Sequence, residues 1–496
     1  MIKHGRNLIL LNYDKVTDEN IVEIVLNGYQ QHMENSDDCQ YLIDYDKGII
    51  PELLKREKEV RPEINNKIVI NLAHYIKRWK QGYGWGNPIV YVQRADIDES
   101  GEDASKDDRR INRMNELFSA VRMASKNSQL ADRLLTTGVG YKMILHDKSD
   151  KGYFHVAVPD PRYTFVVRKA DILHEPLLAC TYVNDEYGNL SIANVYTDRK
   201  EYTIWFDEDG NEHHESKPHF YGKIPIIQYF NDENRMGCFE YVLDALLALC
   251  FGVSDRTNDL EQFINSLIWF NNVDIDVEKF KQLADVGAIQ TADMGSKQAK
   301  IEMLTQALNQ TDVQSHINSL YDYILTICAI PNSRNTTSGG DTGTATSMIT
   351  GWSDAETYAK NQFEIFADSE YEFLELVLNY MDNVYPEELD GLDISDIGIK
   401  ATRDRSQSLL VKTQGLLNLL NAGIHPRHSI SEIELFPDPN QVYEDSIPYL
   451  EKWKTDTNNA EGARPEQTEA RDNHIDGGDE ERHVDSMTEH AVISVG

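Results

Sequence analysis

The sequence predicts an α+β protein, and three patterns carry that prediction. Apolar residues recur at spacings of three and four before about residue 135 and again after about residue 240, the signature of helices with one buried face. Between Gly140 and about Phe230 the pattern changes to short β-branched and aromatic runs with alternating polarity, divided by turn sequences. Late in the chain, two long helical stretches flank a polar loop, NSRNTTSGGDTGTATS, that follows Pro331. A long loop inside a compact domain is most often functional.

The helical reading starts at residue 14. Thr17 heads a T-x-x-N start, followed by Ile21, Ile24 and Val25. A second helix is expected over Asn66 to Trp79, with Ile68, Leu72, Tyr75, Ile76 and Trp79 on one face. GYGWGNP (82 to 88) breaks it, IVYVQ reads as a strand, residues 96 to 109 as an exposed loop, and Ile111 to Leu135 as a helix. In the β-rich part, YKMILHD, YFHVAVP, YTFVVRK, LLACTYV, ANVYTD and EYTIWFD read as strands, separated by KSDKG, NDEYGN and DEDGNE.

From Cys238 the helical period returns through Val242, Leu246, Cys250 and Val253, then Leu260, Phe263, Ile264 and Leu267. As one helix this run would be about 45 Å long. A polar belt interrupts its face: Ser254, Asp255, Arg256, Asn258 and Asp259. Residues 273 to 311 read as a small mixed excursion with a short helix, VEKFKQLADV, and carry Lys279, Lys281, Lys297 and Lys300. Beyond the polar loop, Met348, Trp352, Ala355, Ala359, Phe363, Phe366, Leu374, Val377 and Met381 form a buried stripe on a helix of about 55 Å. Shorter helices are expected over 403 to 454, with breaks at Gly423, Pro426 and FPDPN. The acidic tail after Thr455, without aromatics, reads as disordered or ordered only by neighbours.

Several chemistries are disfavoured. The net charge of −35, from 48 basic and 83 acidic side chains, rules out global phosphate gripping of the kind that drives tight nucleic-acid binding. It suits solubility, or a surface along which DNA slides without sticking. No run of about 18 apolar residues predicts a membrane span, and the N-terminus lacks a signal-peptide pattern, so a soluble cytoplasmic protein is the default. Cys39, Cys180, Cys238, Cys250 and Cys328 form no C-x-x-C pair and read as small buried hydrophobes. The turn at Asp207, Asp209 and Glu212 lacks calcium-loop spacing. His213-His214-Glu215, and the pair His425 and His428, lack zinc spacing and read as exposed loops. Gly339 to Thr346 resembles a phosphate loop but has no Lys, so neither metal, cofactor nor catalytic residue is assigned. Arg334 is the only charged side chain between Pro331 and Gly340.

The order of elements resembles the portal proteins of long-tailed bacteriophages of Gram-positive hosts. The resemblance rests on NKIVINLAHYIKRWKQGYGWGNPIVY, LADRLLTTGVGYKMILHD with FHVAVPDPRYTFVV, and KIPIIQYFNDENRMGCFEYVLDALLALCFGVSDRTNDLEQF. The helix, Pro, Ser-Gly loop and long helix of 312 to 385 complete it, over residues 60 to 385. It implies a portal-like fold: a wing from 1 to 239 and 345 to 400, with a mainly helical and a β-rich part. It further implies stem helices at 240 to 272 and 312 to 330, a clip at 273 to 311, a tunnel loop at 331 to 344 and a helical crown at 401 to 454. Asn332, Ser333, Arg334, Asn335, Thr336, Thr337, Ser338, Gly339 and Gly340 would then face DNA, and Lys279, Lys281, Lys297 and Lys300 would serve docking. The implied protein is a ring of about twelve subunits at a capsid vertex, a channel through which double-stranded DNA passes without sequence specificity. Its implied partners are the terminase large subunit, a head-completion adaptor, and the major capsid and scaffolding proteins. The rival readings are a capsid-associated adaptor or scaffold without a channel, and a nucleotide-dependent enzyme using the Gly-rich loop.

Overall fold

The computed structural model describes residues 5–59, 61–94, 104–147, 153–207, 211–264, 267–271, 300–304, 310–332, 351–401, 403, 409–433, 435–436, 442–443 and 445–449. The chain divides into two units, Met1–Pro439 and Asn440–Gly496. In the second, the described residues are helical.

A six-stranded sheet has the order β1-β5-β6-β7-β8-β9. Its strands are β1 (Ile9–Leu11), β5 (Thr164–Lys169), β6 (Pro176–Asn184), β7 (Leu190–Tyr196), β8 (Lys200–Phe206) and β9 (Glu212–Pro218). All neighbours are antiparallel except β1 and β5. Helix α1 (Ile21–Asp46) buries Ile21, Val22, Ile24 and Val25 against Phe165, Val167, Leu178 and Cys180 of this sheet. The approach is close at Gly28, where a Cβ would lie 2.8 Å from Val167 and 2.9 Å from Phe165. The opposite face sends Val166, Ala179 and Tyr196 towards Tyr141, Met143 and Ile226 of a second sheet. That sheet has the order β10-β3-β4, formed by Ile226–Phe230, Val139–His146 and Phe154–Ala157.

Of the other helices, those over Met123–Thr137 and Trp352–Val384 pack on the second sheet. In chain order, these other helices are α2 (Pro51–Leu54), α3 (Leu72–Trp85), α4 (Ala104–Ala120), α5 (Met123–Thr137), α6 (Leu243–Ile264), α7 (Gln310–Ile327) and α8 (Trp352–Val384). Then come α9 (Pro386–Leu389), α10 (Leu409–Asn421) and α11 (Pro426–Glu432). Strand β2 (Ile89–Gln93) pairs with β13 (Ile397–Ala401), and β11 (Leu267–Asn271) with β12 (Lys300–Leu304). Helix α8 spans about 50 Å and sets Phe366, Phe373, Leu374, Val377, Tyr380 and Met381 in one core with Leu130, Leu134, Ile144, Phe154 and Tyr229.

The predicted strands appear where expected, and β2 matches IVYVQ residue for residue. The helix expected from Asn66 starts instead at Leu72, capped by the Asn71 side chain, which accepts from the His74 N–H at 3.1 Å. Residues 66–70 are neither helix nor strand, and the backbone of Asn66 and Ile68 bonds instead to Asn258 and Ser254 of α6. The exposed loop expected over 96 to 109 gives way to α4 from Ala104. The single helix expected over 111 to 135 is broken at Arg122, in the left-handed region at φ 57°. The long helix expected from Cys238 stops at Ile264, and Leu267 belongs to β11. His213, His214 and Glu215 lie on the exposed strand β9 rather than in a loop. The short helix and turn expected over 273 to 299, and Met348, lie outside the described residues.

Candidate functional site

Helices α6 and α7 form an antiparallel pair. Gly252 packs by Ile317, where a Cβ would come within 3.5 Å, and farther along α6 the Arg256 guanidinium donates to Gln314. Leu246, Leu249 and Cys250 share a core with Ile317, Ile324, Leu325 and Cys328. At one end of the pair the chain runs into the β11–β12 ribbon, registered from Leu267↔Leu304 to Asn271↔Lys300. Lys300 therefore starts a strand, whereas Lys279, Lys281 and Lys297 lie outside the described residues.

The polar belt of α6 does not face open solvent throughout. Ser254 and Asn258 are fully buried. The Ser254 hydroxyl accepts from the Ile68 N–H at 2.9 Å, and the Asn258 amide oxygen accepts from the Asn66 N–H at 2.7 Å and side chain at 3.0 Å. Asp255 pairs with Arg56 at 2.5 Å, and Asp259 is exposed. The spacing of four places Ser254 and Asn258 on one face. Their partner, a backbone segment 186 to 192 residues earlier, left no local trace in the sequence.

At the other end of the pair lies the base of the polar segment. Helix α7 ends in a Schellman arrangement: the Ile330 N–H bonds to Leu325 O at 2.9 Å and the Ala329 N–H to Thr326 O at 3.0 Å. Ala329 takes the left-handed conformation at φ 52° that glycine ordinarily fills. The Asn332 amide donates to Asp322 at 2.7 Å. Gly351, at φ 82°, starts α8, and a Cβ placed on it would sit 3.9 Å from the Pro331 Cα. The segment thus leaves and returns at one point. Of the predicted DNA-facing residues, Asn332 is at this base, and Ser333, Arg334, Asn335, Thr336, Thr337, Ser338, Gly339 and Gly340 lie outside the described residues.

Buried ionic contacts hold the base in place. Glu370 of α8 is fully buried and accepts from Tyr91 at 2.5 Å, Tyr229 at 2.7 Å and Lys142 at 2.6 Å. Lys142, also fully buried, rests 4.5 Å from the Phe373 ring centre. Burial pulls its ammonium below the ordinary lysine value against the attraction of Glu370, and burial pushes the Tyr91 and Tyr229 hydroxyls far up. One turn into α8, Glu356 accepts from Tyr83 at 2.6 Å and pairs with Arg403 at 2.8 Å. Arg6 pairs with Glu240 at 2.6 Å and donates to Thr137 O at 3.1 Å, pinning the N-terminal segment to the start of α6. None of these groups stood out among 83 acidic residues. A glutamate inside an apolar helical stripe is the one available signal.

All five cysteines are buried and unpaired. Burial raises their thiols, Cys39 and Cys238 to about 12 and Cys328 to about 11, which suits packing and not nucleophilic attack. The arrangement sets two excursions at opposite ends of a helix pair, beside a long helix that is ionically locked to a sheet.

The phage portal protein family, SPP1 Gp6-like, matches residues 29–462. The chain belongs to that family. This portal-family chain is accordingly a structural protein of a phage particle. No curated protein matches it. Among solved structures, a chain from the neck of an empty GTA particle computed with C6 symmetry is similar at 12% identity, covering 74% of the portal-family chain and 90% of its own length, with a TM-score of 0.42.

Proposed function

We propose that the protein is the head-to-tail connector of a phage: a homo-oligomeric ring of about twelve copies at one capsid vertex, whose axial channel carries double-stranded DNA during packaging and ejection. The observation that carries this reading is the antiparallel α6–α7 pair with an excursion at each end. The pair is the stem. The excursion at 273 to 311 is the clip, which docks the terminase large subunit and later a head-completion protein. The segment at 331 to 344 is the tunnel loop, projected from the base at Pro331 and Gly351 towards the channel. The sheets with α1–α5 and α8 are the wing, and residues 401 to 454 are the crown, the wing and crown contacting capsid and scaffolding proteins.

The role needs no catalysis. A loop of small polar residues with Gly339, Gly340 and Gly343 changes shape at low cost, and the acidic surface avoids the phosphate grip that would stall DNA. Arg334 supplies at most a single weak backbone contact per copy.

Electron microscopy of the purified protein tests the ring: particles with a central hole are expected, and monomers or filaments at every concentration would overturn the reading. The loop has its own test. Replacing Gly339 and Gly340 with proline should leave rings intact and reduce the DNA packaged per particle. Unchanged packaging would remove the loop from the moving parts.

A further inference from the structure

A cavity of about 500 Å³ opens beside the base of the polar segment, lined by Tyr75, Arg78, Trp79, Gly82, Tyr83 and Trp352. We propose that it is a stacking site for one unpaired nucleotide of DNA, taking the base on the open side of an aromatic cluster and the phosphate on Arg78; the source of that ligand rests on the DNA-channel reading above.

Three observations support the ligand class. The walls are aromatic: Trp79 and Tyr83 are stacked at 5.1 Å, and Trp352 is inclined to both at 5.9 and 5.7 Å. Such walls bind any base through its π-face. The polar groups are donors. Arg78 has no hydrogen bond or ion pair among the described residues, and neither does the Tyr75 hydroxyl or the indole N–H of Trp79 or Trp352. Among the described residues no carboxylate lines the cavity, although acidic residues outnumber basic ones 83 to 48. A planar anion satisfies such a site, whereas a cationic side chain would face Arg78. The third observation is Gly82, where a Cβ would meet nothing within 4 Å. Glycine in the last turns of α3 leaves the floor open. A paired duplex offers no free base face to this cavity, so the ligand is a single-stranded or frayed nucleotide.

The test uses the full chain, the single-stranded tetrathymidylate dT4 and a blunt hairpin duplex, with tryptophan quenching and equilibrium dialysis as readouts. Wild type should bind dT4 saturably and the duplex at least tenfold more weakly. Gly82→Leu, which fills the floor of a helix, should lose at least tenfold in affinity for dT4 while its melting temperature holds. Arg78→Gln, an exposed and unpaired position, should bind about threefold more weakly and lose salt dependence. No saturable binding by wild type overturns the proposal. So does unchanged affinity in either variant, or burial of Trp79 that follows ring assembly and ignores dT4, which would make the cavity a contact between copies. The channel reading fails separately, by the absence of rings in micrographs.

Discussion

Lys142 and Glu370 are a fully buried pair whose partners lie on three different elements. Removing one member leaves the other charge buried and uncompensated, which costs about 3–5 kcal/mol. Lys142→Met should therefore destabilise strongly in chemical denaturation. Adding Glu370→Gln should recover a large part, because the amide still meets the two tyrosines without carrying charge. If Lys142→Met alone melts like wild type, the pair is not the lock described here. His32 offers a titration test. Burial against Phe165 and Tyr182 lowers its pKa to about 4, from the usual imidazole value of 6.5. The folded state thus holds it neutral while the unfolded chain takes up a proton below 6.5. Its contribution to stability is complete above pH 6.5, is lost as pH falls towards 4, and levels off beneath. The loss is about 2 kcal/mol at pH 5. His32→Phe removes that loss, and Arg162 O keeps its bonds from Ser36 and Tyr182. Melting curves of variant and wild type should diverge between pH 7 and 5 in favour of the variant; parallel curves would refute the assignment.

At the scale of elements, strands bounded by turn residues were legible because alternation and turn chemistry are local. The helices were legible as stripes, and their ends were not. Residues 66–70 carry helical spacing, yet their backbone is claimed by Ser254 and Asn258 of a distant helix. Leu267 continues the α6 stripe, yet it pairs with Leu304, a residue in an excursion whose pairing no local pattern announces. The base of the polar segment was half legible: Pro331 and Gly351 mark its edges, but their proximity is a property of the packed helices. Ala329 was silent, since alanine is the best helix former and here sits left-handed. That conformation costs about 1–2 kcal/mol for a residue with a Cβ, and glycine's extra freedom in the unfolded chain takes back about 0.5–1. Ala329→Gly should thus raise stability by about 0.5–1 kcal/mol. A lower melting temperature would mean that Ala329 packing outweighs its backbone strain.

At the scale of the whole molecule, the dominant quantity is charge. Each chain carries −35, and a ring brings many such chains together, so assembly works against mutual repulsion that falls off over the Debye length. That length is about 30 Å at 0.01 M salt and about 8 Å at 0.15 M. Repulsion between neighbouring copies spans the first distance and is largely cut off at the second. Contacts through apolar surface are insensitive to this change, and exposed ion pairs are weak in any case. Raising ionic strength from 0.01 to 0.15 M should therefore shift the purified protein from small species towards rings, as followed by analytical ultracentrifugation at fixed concentration. The opposite result, rings that fall apart over the same range, would mean that subunits are joined by complementary charge. The excess of acidic residues would then be spread unevenly over the surface of each copy.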